Sequence, residues 1–389
     1  HQSEVIGVLQ LINARHQDTH EVIAFSERYI PLLKGLALYA AIALNNQILV
    51  QDLKNLLDAF VKTIAKAIDA KSPHTSGHCQ RVPLLMELMA EAACNDTLEF
   101  KDFNLSEEEW YELRVSAWMH DCGKLATPDS VLDKSTKLHK MRDGIELVES
   151  RFHCLKQHLK IEYLNTCITN TNNTEASQTE LNKALTALDD DLEFVRTSNK
   201  GGEFMSDESK ARIKRIADIT WPDINGEMQP MLNEDEVYNL CIERGTLTSE
   251  ERQIINNHMT VTIDMLEGLP FPKQLKRVPE YAGGHHEKMN GTGFPRGLTR
   301  EQMSIPARMM AIADIFEALT AKDRPYKDPM KISLSLNIMS RMVEDEHIDP
   351  DLFQLFVKSR VWEKYAKRVL SPDQIDVEDI TPYLVNQTP

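Results

Sequence analysis

Adjacent imidazoles at His285 and His286, inside HHEKMNGTGFP (285–295), are the residues of this chain best suited to chemistry. Histidine nitrogens ligate borderline divalent metals, whereas an all-oxygen set would favour Mg or Ca. The glycines and proline that follow suit a lip over such a site, because glycine lets backbone approach a ligand closely and proline stiffens the turn. Four more segments carry residues of the same kind: His78 in HTSGHCQRV (74–82), His120-Asp121 in HDCGK (120–124), His258 in IINNHM (254–259) and Asp314 in ARMMAIADIFEALT (307–320). Any one histidine is more often a surface or hydrogen-bonded core residue than a ligand. The constellation carries the reading of one polynuclear metal centre.

HDCGK, then HHEKMNGTGFP, then IAD…ALT…DRPYK resembles, in that order, the HD-GYP family of cyclic dinucleotide phosphodiesterases, a branch of the HD metal-dependent phosphohydrolases. The resemblance covers residues 58–130 and 246–375. It implies that His78, His120, Asp121, His258, His285, His286 and Asp314 are metal ligands, with Asp121 as the bridge. It also implies that Lys124 meets a phosphate or the leaving oxygen as a point charge, so that Asp121 and Lys124 form the catalytic pair. Gly291, Gly293, Phe294 and Pro295 would shape the substrate loop, and Arg324 and Lys327 would neutralise a doubly anionic substrate. The cofactors implied are two divalent ions, iron or manganese, with zinc and nickel as alternatives. Two metals about 3.5–4 Å apart activate water and hold phosphoryl oxygens for in-line attack. The expected reaction is hydrolysis of a 3′,5′-cyclic dinucleotide, cyclic di-GMP or cyclic GMP-AMP, to a linear product. Two alternatives are a catalytically weak sensor acting through a partner surface at Gly293-Phe294-Pro295, and an HD phosphohydrolase of other nucleotides.

Three positions depart from the family pattern. Phe294 replaces the usual Tyr of the Gly-Tyr-Pro loop, keeping the aromatic face and losing a hydroxyl. Asn290 stands where Asp is frequent. His74 stands where some members place a Glu that ligates a third metal, so a third ion rests on that position.

A chain of 389 residues exceeds the usual single core, and its net charge of −16 argues against a nucleic-acid polymer or an anionic membrane as partner. A small anionic substrate then needs local cations. The six cysteines are scattered without CxxC spacing, which points to a reducing, cytoplasmic setting. No nucleotide-binding glycine loop or serine nucleophile motif is present. The apolar run LALYAAIAL (36–44) is too short to span a bilayer, so no membrane insertion is expected.

The elements that must position the site read as mainly α-helical. VIGVLQLINA (5–14) has the β-branched pattern of a buried strand, and 26–69 reads as one long helix. Together they resemble the C-terminal end of a GAF sensor domain, giving a remnant with connector at 1–50 and a catalytic domain at 51–389. Leu38, Ile42, Leu49, Leu53 and Leu56 keep near one helix face and make a homodimer seam. Between Asp121 and His258 an insertion at about 138–245 contains two helical runs, 138–168 and 180–199, joined by a polar tip at 169–178. LSEEEW (105–110), LTSEER (247–252) and LTREQM (298–303) have the order of capping boxes. His139, His153, His158 and His347 lack a motif and are expected at the surface.

Overall fold

The computed structural model describes residues 5–71, 77–169, 174–202, 204–322 and 329–384. His74, Arg324 and Lys327 lie outside them, as does the centre of the hairpin tip at 170–173. The described chain is mainly helical. Its helices in order are α1 (Ile30–Lys71), α2 (His78–Cys94), α3 (Glu107–Met119), α4 (Asp129–Leu132), α5 (Ile145–Thr169), α6 (Thr174–Asn199) and α7 (Asp207–Ala217). A two-stranded antiparallel hairpin follows, β1 (Thr220–Pro222) with β2 (Met228–Pro230), pairing Trp221 with Gln229. Then come α8 (Glu234–Leu240), α9 (Ser249–Asn256), α10 (His258–Glu267), α11 (Val278–Gly283), α12 (Ile305–Thr320), α13 (Ile332–Glu344), α14 (Pro350–Lys358) and α15 (Val361–Val369).

Packing divides the chain into His1–Ile64 and Ala65–Pro389, so the boundary falls inside α1 and later than the expected 50/51. In the first unit the strand expected at 5–14 does not form: those residues are irregular, and Val5, Val8 and Ile12 are exposed. Just after them, Arg15 and Val22 form an isolated bridge. A β-branched run becomes a strand only where a neighbour takes up its N–H and C=O groups, and among the described residues that pairing reaches only the end of the run, where Ile23 N–H donates to Ala14 O at 2.7 Å. The long helix does form. Leu38, Ile42, Leu49, Leu53 and Leu56 are all exposed along it. Glu27–Lys71 is, by length and composition, long and apolar enough to cross a membrane, a property hidden when only the run 36–44 is weighed.

The second unit has two main cores. One joins α2, α3 and α12–α15 through Val82, Met89, Met310, Phe316, Phe356, Trp362 and Tyr365. The other belongs to the insertion and gathers Val148, Phe152, Val195, Ile213 and Leu240 from α5–α8, with Met231 from the turn after β2. The insertion is therefore more than a bare hairpin. Its first helix begins at Ile145 and not near 138, and 174–178, read as part of the tip, is the first turn of α6. Glu, Ala and Gln there are strong helix formers, and their polarity reports exposure, not loop structure.

The insertion is clasped at its root. Lys137 N–H donates to Asn199 O at 2.8 Å, and the buried Lys137 Nζ donates to Leu240 O and Ile242 O at 2.8 and 2.7 Å. Lys134 Nζ reaches Asn239 Oδ1 at 2.8 Å and both oxygens of Glu251, on α9, at 2.9 and 2.8 Å. Capping boxes start α3 at Ser106/Glu109 and α9 at Thr248/Glu251, as read from the sequence, and Thr299/Gln302 caps a 3-10 turn. A further box, Asn233/Glu236, starts α8.

Candidate metal centre

Helix ends deliver the candidate ligands. His78 is the first residue of α2, His120 follows the last residue of α3, and Asp121 begins the turn into the 3-10 helix Cys122–Ala126. His258 is the first residue of α10, His285 and His286 follow α11, and Asp314 lies within α12. All seven come together. Within each of two groups, His78/His120/Asp121 and His258/His285/His286, the potential ligand atoms lie within 4.8 Å of one another.

Asp121 joins the groups. Its Oδ2 is 3.3 Å from His78 Nε2 and 3.5 Å from His120 Nε2, while its Oδ1 is 3.4 Å from His258 Nε2 and 3.8 Å from His285 Nε2. Asp314 Oδ1 lies 3.2 Å from His78 Nε2 and 3.9 Å from His120 Nε2. Asp121 is 1% exposed, and Asp121 Oδ1 and His258 Nε2 are buried without a hydrogen-bond partner. Buried polar atoms are nearly always satisfied. Two that are not, facing each other among imidazoles, fit a site made for a cation.

Ring orientation is set locally. His120 Nδ1 donates to Ala117 O at 2.8 Å, His258 Nδ1 to Ile255 O at 2.6 Å and His285 Nδ1 to Ala282 O at 2.8 Å, each three residues back. With the proton held on Nδ1, every Nε2 keeps its lone pair for the centre. Burial lowers the pKa of His120 and, more strongly, of His285, and brings His286 to about 4, so these rings are neutral at pH 7. For Asp121, burial opposes the charge, but Lys124 and His120 overcome it and hold the carboxyl well below the usual range. Lys124 Nζ sits 2.5 Å from Asp121 Oδ2. Cys122, inside HDCGK, is buried and its thiol is pushed up to about 11, which leaves no thiolate nucleophile at pH 7.

The loop after His286 folds back over it. Phe294 stacks on the His286 ring at 4.8 Å between centroids and 15° between planes, so the aromatic face is used for packing, where the missing tyrosine hydroxyl is not needed. Glu287 pins the loop, its two oxygens accepting from Arg296 N–H at 2.7 Å and Leu298 N–H at 2.9 Å. Gly293 is required by contact: a Cβ there would lie 2.4 Å from Lys288 N. Gly291 adopts φ +75°. Asn290 Oδ1 accepts from Thr292 N–H and its hydroxyl at 3.0 and 2.7 Å and so shapes the turn. Of the four histidines expected at the surface, His153 is exposed, whereas His139, His158 and His347 are half-buried.

Sequence reasoning passed over three supporting residues. Glu317 contacts His78 Nδ1, Glu287 holds the loop, and Thr262 Oγ1 accepts from Gly123 N–H at 2.9 Å. Glu287 directly follows the paired histidines and Glu317 lies one helical turn after Asp314, spacings that could have flagged both.

Residues 234–352 match the family described as HD domain, a span that holds His258, His285, His286 and Asp314. The chain is 36% identical over 118 residues to 3′3′-cGAMP-specific phosphodiesterase 1 of Vibrio cholerae, covering 30% of this chain and 26% of that protein. It is 24% identical over 303 residues to 3′3′-cGAMP-specific phosphodiesterase 3 of the same organism, covering 78% and 39%. To a cyclic di-GMP phosphodiesterase of Pseudomonas aeruginosa it is 36% identical over 115 residues, covering 30% and 27%. The chain thus spans between about a quarter and two fifths of the length of these relatives.

Proposed function

We propose that this chain, which carries an HD domain and is consistent with the HD-GYP phosphodiesterases, hydrolyses a 3′,5′-cyclic dinucleotide to a linear dinucleotide with two divalent metals. One observation carries the reading: a single buried carboxylate, Asp121, turns one oxygen to each of two histidine groups. His78, His120, Asp121 and Asp314 would hold one ion, and His258, His285, His286 and Asp121 the other. Mixed imidazole and carboxylate donors suit borderline divalent metals such as iron, manganese, zinc or nickel, and the family resemblance narrows these to iron or manganese. Bound there, the ions supply an acidified water and hold phosphoryl oxygens in line.

The chain's own residues do the rest. Asp121 stays ionised, and the neutral imidazoles of His120, His285 and His286 present lone pairs without losing a proton first. Lys124, half-buried beside Asp121, places a cation where a phosphate or a leaving oxygen can meet it. Phe294 and Pro295, fastened by Glu287, form one wall of the substrate lip. Arg324 and Lys327 fit a further phosphate-binding role by charge and motif. The six cysteines are free, which suits a reducing cytoplasm.

The test is turnover of cyclic di-GMP and cyclic GMP-AMP by the purified chain with its metal content recorded. Hydrolysis of neither by the iron- or manganese-loaded protein would overturn the proposal. Lys124→Ala is expected to keep full metal content and lose turnover worth about 1–3 kcal/mol, the usual contribution of a charged hydrogen bond. Loss of metal in that variant would place Lys124 among the groups that build the site.

The exposed apolar face of α1 fits a parallel homodimer seam. Ile42→Glu with Leu49→Glu should then give a metal-loaded monomer in sedimentation without detergent. A wild-type chain that is monomeric at high micromolar concentration, or that stays in solution only with detergent, would remove the seam.

A further inference from the structure

His78 is oriented differently from the other histidines. It is the first residue of α2, directly after Gly77 in a left-handed conformation, and its Nδ1 meets Glu317 Oε2. Glu317 lies on α12 three residues after Asp314 and is 1% exposed. Its other oxygen, Oε1, accepts from Arg81 Nε at 2.5 Å. One carboxylate thus connects α2 twice, once through a candidate ligand ring and once through a guanidinium.

We infer that Glu317 is the positioning residue for His78. It holds the Nδ1 proton, so that Nε2, 3.3 Å from Asp121 Oδ2 and 3.2 Å from Asp314 Oδ1, is the atom turned toward a metal. Arg81 in turn fixes Glu317. A carboxylate behind a ligating histidine sets its tautomer and raises its basicity, and losing it costs about 10–100-fold in metal affinity. The inference rests on the proposed metal centre but on neither substrate nor turnover. A plain structural staple between α2 and α12 would need no contact with the ring.

The experiment is titration of metal-free protein with Mn2+ alone, followed by the free-ion paramagnetic signal, with thermal melts and nitrogen NMR of His78. Wild type should take up two ions. Glu317→Ala should take up one ion as wild type does and the second about 10–100-fold more weakly, with His78 no longer fixed as the Nδ1-protonated tautomer. Glu317→Gln, whose carbonyl can still accept the proton, should fall between them and folds if the alanine variant does not. The inference is overturned if both variants bind both ions as wild type does. It is also overturned if the two ions weaken equally along with the melt. A wild-type chain that binds Mn2+ in this way but hydrolyses no cyclic dinucleotide would sink the functional proposal and leave Glu317 in place.

Discussion

Asp121→Ala yields a folded protein that has lost metal and hydrolysis together. The carboxylate faces both histidine groups, so its removal opens both positions at once. Turnover should fall by at least about 10³-fold, beyond the range for losing a single donor to a transition state. The variant also strands the Lys124 ammonium, whose contact at 2.5 Å is with that same carboxylate. Asp121→Asn keeps the shape and loses the charge. It should retain the wild-type melt and still lose metal, measured by elemental content after gel filtration. Wild-type turnover by either variant at undiminished metal content would show that Asp121 bridges nothing.

Gly123→Ala is the second large effect, and it acts through backbone. A Cβ at Gly123 would lie 2.0 Å from His258 O and 2.6 Å from Thr262 N, atoms that cannot rotate away. The turn after Asp121 and the start of α10 must separate, which weakens the Gly123 N–H bond to Thr262 and moves His258 off Asp121 Oδ1. Overpacking of this kind costs about 1–3 kcal/mol. Denaturant unfolding should register that loss, and metal titration should show the His258 group weakened more than the His78 group. A variant with the wild-type unfolding midpoint and two tightly held ions would mean that this contact relaxes at no cost.

Much of the site was legible because ligation restricts residue type severely: His120, Asp121, His258, His285, His286, His78 and Asp314 each stand in a short motif, and the structure brings them together. The supporting residues were harder to read. The position of Glu317 after Asp314 and of Glu287 after His286 could flag them, but their tasks come from the fold: Glu317 meets His78 from a distant segment, and Glu287 meets Leu298 only once the loop folds back. Gly123 reads as a turn residue, whereas its need for a missing Cβ comes from α10, well over a hundred residues later. Helix starts could be read because a capping box is local, as at Ser106/Glu109. The strand at 5–14 failed for the opposite reason: pairing is not local, and β-branched residues state a preference that only a neighbour can satisfy. The insertion's own core was missed because its apolar residues come from α5, α6, α7, the turn after β2 and α8 at irregular spacing.

The clasp at the root of the insertion bears on how the centre assembles. Asp121 and His258 are separated by a long stretch of chain, and closing a flexible loop of that length costs roughly 4 kcal/mol. Lys137 to Asn199, Lys137 to Leu240 and Ile242, and Thr246 Oγ1 to Lys134 O at 2.9 Å tie the entry, middle and exit of that stretch together. Once the insertion has folded on its own core, the effective separation between the two halves of the site shrinks to the few residues on either side of the knot. Insertion folding then comes before site closure, and a lesion in the Lys134–Lys137 knot, which contains no candidate ligand, should delay the appearance of the metal-competent state more than it destabilises that state once formed.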